Sequence, residues 1–311
     1  MVNSSVGLTN FTILKATNAS LLWIFNTVSV FIVILFYSCT IAAILRHRSS
    51  KFSNPFYCIL IWLGVCYIAC LLIGGIYGDI VHITLLYPLG NPGDRVLNAL
   101  LLAASVSTLL LQLAGAINRT GAVIMFNSYK TYFSAFNTNL TVAACVTVSA
   151  ALFALAFPCL HLNFANNNLM ASPKTLCVHL KDGAHVLFVS VSVAMILLYG
   201  YTISRLREQK QSFGARADKR RFKLEIKLIL QGALLALVTM LTCVMLVTNL
   251  NFTARRMVIQ VYNGINPFFY ITMNEELRKI ITTTCIARIG HRARNGKNFN
   301  LTGVSTNNAE F

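Results

Sequence analysis

Charge is scarce in this sequence, and negative charge is scarcer still. Of 311 residues, 11% are charged and only 9 are acidic, against about a quarter charged in an average soluble domain. So little charge cannot cover a soluble surface, and a 56% hydrophobic content has to face something other than water. The acids are Asp79, Asp94, Asp182, Glu208, Asp218, Glu225, Glu275, Glu276 and Glu310, and all fall outside the long apolar runs. That leaves no acidic group at membrane depth, where proton-coupled and cation-coupled transporters keep the group that carries the coupling ion. A Ser-centred nucleophile elbow and a phosphate-binding glycine loop are also missing. Asp79, His82, Asp94 and His179 could gather at one end of the chain, but their mixed spacings match no compact ligand motif. The expectation is therefore no enzyme, no metal and no cofactor.

What is present is a succession of apolar runs: Leu21–Leu45, Pro55–Gly78, Val96–Ile117, Leu140–Phe157, Ala184–Ser204, Leu228–Thr248 and Met257–Met273. A helix needs about 17 to 25 largely apolar residues to cross about 30 Å of hydrocarbon. The runs are continuous rather than alternating, which excludes a membrane β-barrel. They predict an all-α membrane protein, a bundle of seven transmembrane helices, with the last run the shortest and most polar. Residues 1–20 then form an extracellular tail, 21–285 the membrane domain and 286–311 a cytoplasmic tail.

Basic residues orient the bundle. With the amino terminus outside, only Lys15, Arg95, Lys174, Lys181, Arg255 and Arg256 lie outside, and the other 20 of the 26 Lys and Arg lie inside. The positive-inside rule favours that arrangement. It also puts Asn3, Asn10 and Asn18 in the outer tail and Asn251 in the last outer loop, each in an Asn-X-Ser/Thr acceptor triplet. Asn118, Asn139 and Asn300 carry the same triplet on the inner side or at its border, so the pattern alone is weak.

The third inner segment, Arg205–Lys227, holds nine basic and three acidic residues. In a soluble chain such a cluster would suggest nucleic acid; beside a membrane it suits anionic inner-leaflet lipid, a soluble protein partner, or both. After the seventh run, Asn274 can cap a short amphipathic helix whose acids lie early, whose bases lie late, and whose Leu277, Ile280 and Ile281 share a face. That helix is expected on the inner membrane surface. Cys285 there is a candidate for acylation or an unmodified cysteine.

Six of the nine cysteines, Cys39, Cys58, Cys66, Cys70, Cys145 and Cys243, fall inside spans as small buried residues. Cys159 and Cys177 bracket the second outer loop and could close it as a disulfide. Polar amides in or beside the spans are few: Asn26, Gln112, Asn118, Gln231, Asn263 and Asn266. Each is a candidate for hydrogen bonds between helices or for a switch. Gly74, Gly75 and Gly78 suit close helix packing. Tyr77, Phe188 and Tyr262 lie near outer span ends, where they could line a ligand pocket or anchor at the interface.

The order of features resembles that of seven-helix G-protein-coupled receptors: an outer tail with acceptor triplets, "GAINRTGAVI" ending helix 3, a basic loop before helix 6, and "NPFFY" followed by "NEELRK". With "FSNPFYCILIW" and "NSYKTYFS" it looks like the nematode serpentine chemoreceptors, of class x or the related t and v types. The resemblance implies a sensory receptor for environmental small molecules, coupled to a heterotrimeric G protein in a neuronal or ciliary plasma membrane. It implies that Arg119 is the helix 3 arginine of the inner switch and that Asn266, Pro267 and Tyr270 form the helix 7 switch. Asn118 stands where many receptors carry an acid, which removes the usual acid–arginine lock. Helix 2 has no acid for a sodium site, helix 3 lacks an upper cysteine and an amine-binding aspartate, and helix 6 lacks proline. An uncharged or weakly polar ligand is therefore expected. A peptide or neuromodulator receptor is the alternative of the same architecture; a passive channel or transporter is the alternative of another class.

Overall fold

The computed structural model describes residues 4–47, 52, 54–84, 90–125, 128–158, 160–163, 168–171, 175–212, 218–247, 252–275 and 277–283. Its helices are α1 (Ser4–Arg46), α2 (Pro55–Cys70), α3 (Gly78–Thr84), α4 (Gly90–Ile124), α5 (Tyr129–Tyr132), α6 (Ala135–Ala156), α7 (Thr175–Ser212), α8 (Asp218–Val247) and α9 (Phe252–Met273). A π-helical segment, Leu71–Tyr77, joins α2 to α3, so the second span runs unbroken past Gly78. Among the described residues, six helices are long and apolar enough to cross a membrane, and α9 takes the seventh place by packing against α1, α2 and α8.

Local chemistry sets the ends. Asn54 accepts from the Phe56 N–H at 3.0 Å and Pro55 occupies the first turn of α2, where its missing donor costs nothing. Ser134 caps α6 by accepting from the Asn137 N–H at 3.2 Å. Asn274 caps the helical turn after α9, accepting from the Leu277 N–H at 3.1 Å, while Lys279 pairs with Glu275 at 2.9 Å.

Burial identifies the centre. Half of the α4 span is buried inside the protein, but only 17% of the α6 span, so α4 is the hub and α6 a lipid-facing flank. The outward faces carry Phe25, Phe31, Leu35, Phe136, Leu197 and Leu237, apolar groups that only hydrocarbon can accommodate. Gly75 lets α1 approach closely: a Cβ there would lie 3.1 Å from Val30.

Three expectations change. A two-stranded antiparallel hairpin, β1 (Leu160–Asn163) and β2 (Asn168–Ala171), sits in the second outer loop with Leu160 opposite Ala171. Its backbone lies outside the apolar runs and satisfies its polar groups by pairing, so the otherwise helical fold gains a small hairpin. α1 begins at Ser4, which places Asn10 and Asn18 on its first half rather than in an irregular tail. The apolar face after α9 packs on protein rather than on the membrane surface: Leu277 and Ile280 are buried against Ile44, Phe52, Phe56, Leu60 and Tyr270. Asn3, Cys159, Asn251 and Cys285 lie outside the described residues, as does the Cys177 side chain, and with them the Cys159–Cys177 pair.

Candidate functional site

The inner end of the bundle is built around Phe56, on the first turn of α2. The Arg119 guanidinium lies 3.5 Å above its ring centroid, and the Tyr270 ring packs on it at 6.4 Å and 60°. All three side chains are buried. A cation over a desolvated aromatic face is held by about 2 kcal/mol. Sequence reasoning singled out Arg119 and Tyr270 but passed over Phe56, whose only signal was its place just after the Asn54-Pro55 cap. Beside this group, the Tyr129 hydroxyl donates to Asn118 Oδ1 at 3.1 Å and to Asn54 Oδ1 at 3.2 Å. Asn118 therefore ties α4 to the second inner loop and to the first inner turn through a shared hydroxyl.

The proline inside helix 7 has a specific partner. Pro267 lacks the N–H that would serve the Asn263 carbonyl one turn earlier. The Tyr37 hydroxyl on α1 donates to that carbonyl at 2.8 Å. The proline that frees an acceptor is thus matched by a tyrosine that satisfies it. Asn266 is fully buried next to Tyr270, and neither of its amide atoms reaches full hydrogen-bond geometry with a partner. An unsatisfied buried amide costs about 1–3 kcal/mol and favours any rearrangement that pairs it.

At mid-depth Gln112 joins four helices. Its Nε2 donates to the Tyr67 hydroxyl on α2 and, at 3.4 Å, to the Tyr262 hydroxyl on α9; its Oε1 accepts from Thr239 on α8 at 3.3 Å. Tyr67 stacks on Tyr37 at 5.5 Å and meets Tyr262 edge-on at 6.0 Å. Tyr262, expected at an outward pocket, is instead sealed in this core. Between this layer and the inner end lies a cavity of about 30 Å³, lined in part by Gln112, Arg119, Tyr199, Gln231, Gly232 and Tyr270. Its lining is mostly apolar with these polar groups set into it, and its size admits water rather than an organic ligand.

The outer end corrects the expectation that every acid lies outside the spans. Asp79 is 1% exposed and belongs to the second span, which the π segment carries past the glycine where the sequence suggested it ended. Asn26 donates to its two oxygens at 3.2 and 3.0 Å and Thr27 to one at 2.8 Å, clasping the first and second spans. Asp94, near the start of α4, is also buried and accepts from the Tyr77 hydroxyl. Among the described residues only the middle membrane depth is acid-free, since the α7 span runs from Asp182 to Glu208, so the argument against ion-coupled transport holds for that depth alone. Phe188, the remaining pocket candidate, is half-buried against the α4–α7 core.

A buried inner cluster beside a proline-bearing seventh helix, joined through a polar core to an outer end against which the hairpin packs, is the frame of a seven-helix membrane bundle. The family model described as serpentine type 7TM GPCR chemoreceptor Srx matches residues 36–273, and the chain belongs to that family. A comparison with curated proteins found no match. The chain is thus a multi-pass membrane protein of a chemoreceptor family, a receptor rather than an enzyme.

Proposed function

We propose that this chain converts binding of an environmental small molecule at the outer half of the bundle into activation of a heterotrimeric G protein. Its amino terminus faces outside, its basic loops face the cytoplasm, and it is displayed in plasma membrane, including that of a sensory cilium. The observation that carries the reading is the inner cluster, in which Phe56 packs against both Arg119 and Tyr270. Bending α9 at Pro267 moves Tyr270, uncovers Arg119 and opens the inner face to the partner. Ligand binding favours the open packing and so shifts an existing equilibrium. Asn118, Asn266 and Pro267 set that equilibrium. The Arg205–Lys227 segment, which comprises the inner ends of α7 and α8 and the residues between them and whose Arg205 pairs with Glu208 at 2.8 Å, meets both the G protein and anionic inner-leaflet lipid.

A ligand-responsive G-protein assay with matched surface expression tests this. Arg119→Ala and Tyr270→Phe are each expected to abolish or strongly reduce signalling, and unchanged signalling in both would sink the assignment. Flux through purified protein in liposomes without a G protein would instead favour a channel or transporter.

A further inference from the structure

Two acids are buried at the outer end, and they are satisfied very differently. Asp79 receives donors on both oxygens from Asn26 and Thr27, so its role is to clasp helices. Asp94 is 6% exposed; its Oδ1 accepts from the Tyr77 hydroxyl, and its Oδ2, fully shielded from solvent, has no partner. No acid lies in the first turn of α4, so Asp94 is not an N-terminal capping acid. Its neighbour Arg95 is exposed. The side chain of Asn98, one turn further into the bundle on the same face, is also buried. The π segment ends at Tyr77, and the hairpin strand β1 packs over α4. A buried carboxylate held by one neutral donor is strongly disfavoured as the anion unless it is neutralised or a positive group completes it.

We propose that Asp94, with Tyr77 and Asn98, forms the recognition subsite for a protonated amine, so that the small-molecule ligand of this receptor is an organic cation. The ammonium group donates to Asp94 Oδ2, and its carbon skeleton lies under the hairpin. Tyr77 holds the carboxylate in place and leaves the second oxygen for the ligand. This replaces the uncharged ligand suggested by the sequence, where Asp79 and Asp94 were read as loop acids. The proposal rests on the receptor reading of the outer bundle, but its readout is binding, so its failure is separable from a failure of G-protein coupling.

The test uses thermal unfolding of the purified full-length chain in detergent, with 2-phenylethylammonium, isoamylammonium and n-hexylammonium as probes. Each is paired with the neutral alcohol of the same skeleton. At least one ammonium ion is expected to raise the Tm by several degrees beyond its alcohol, and Asp94→Asn is expected to remove that difference. Without probe, Asp94→Asn is expected to unfold at the same temperature or higher, because an incompletely satisfied buried charge is lost. The proposal is overturned if no ammonium ion exceeds its alcohol, if Asp94→Asn still responds, or if Asp94→Asn alone lowers the Tm, which would make the carboxylate structural. Asp79→Asn serves as the contrast: it loses stability through the helix clasp while the folded fraction keeps its response to the ammonium probe.

Discussion

Replacing Tyr37 by Phe removes one hydroxyl and leaves the ring that stacks on Tyr67. The hydroxyl donates at 2.8 Å to the Asn263 carbonyl, which Pro267 leaves without a helical donor. Both residues are buried, Tyr37 to 3% exposure and Asn263 to 7%, so water cannot take over. A buried acceptor left unpaired costs about 1–3 kcal/mol, whereas interhelical hydrogen bonds in membranes average about 0.6 and reach about 1.7. The low average reflects groups that find substitute partners. This carbonyl faces a proline ring and has none in its own helix, so Tyr37→Phe is expected to cost about 1–2 kcal/mol. Pro267→Ala restores the N–H, and in that background the same Tyr37→Phe change should cost about 0.5 kcal/mol or less. Reversible unfolding in mixed micelles titrated with SDS measures all four proteins. A cost that is the same in both backgrounds would refute the pairing of proline with tyrosine, because it would place the role of the hydroxyl elsewhere.

Two further substitutions probe the core. Gln112→Leu keeps the volume but takes away the amide that the Tyr67 and Tyr262 hydroxyls meet, while Thr239 keeps its bond to the Leu235 carbonyl at 2.9 Å; it should lower stability by about 1–3 kcal/mol in the same SDS titration, while Thr239→Val, which removes only one of the amide's partners, costs less. Gly232→Ala places a methyl in the space filled by the Tyr199 hydroxyl and ring end, so it should destabilise by about 1–3 kcal/mol through overpacking. Adding Tyr199→Ala should then give a double variant more stable than the sum of the single losses, and strict additivity would show that the two do not meet.

How much of this was legible depends on what the sequence signal reports. Hydrophobic runs report burial in lipid, so the spans were readable, and the Asn274 cap announced its own helix end. The inner arginine and the Asn-Pro bend were readable because their residue types are rare in apolar surroundings. Phe56 was not, because an aromatic residue among aromatic residues carries no mark of the cation it will meet. Tyr37 was equally silent, since the carbonyl it serves is 226 positions away. Asp79 was misplaced for a different reason: the apolar run stops at Gly78, and a π turn that carries the helix past it has no composition of its own.

One pattern was present in the sequence and becomes meaningful only in the fold. Eighteen residues make five turns of an α-helix and seven make nearly two, so Asp94, Gln112 and Arg119 share one face of α4, with Ser105 between them. On the second span their counterparts run in the opposite order: Tyr77 with Asp94, Cys70 with Ser105 at 3.7 Å, Tyr67 with Gln112, and Phe56 with Arg119. Two antiparallel helices are thus joined by polar or cation–aromatic contacts from the outer carboxylate to the inner arginine. The only irregular backbone in that ladder, Leu71–Tyr77, lies between its outermost contact and the rest. A π turn is strained relative to an α-helix and can shift register locally, so a ligand that changes what Asp94 demands of Tyr77 acts directly on the one part of the ladder able to yield. The α4 side of the ladder is regular helix, which carries the change inward as a rigid displacement rather than dissipating it. The same two helices that position the ligand group therefore hold the inner seal.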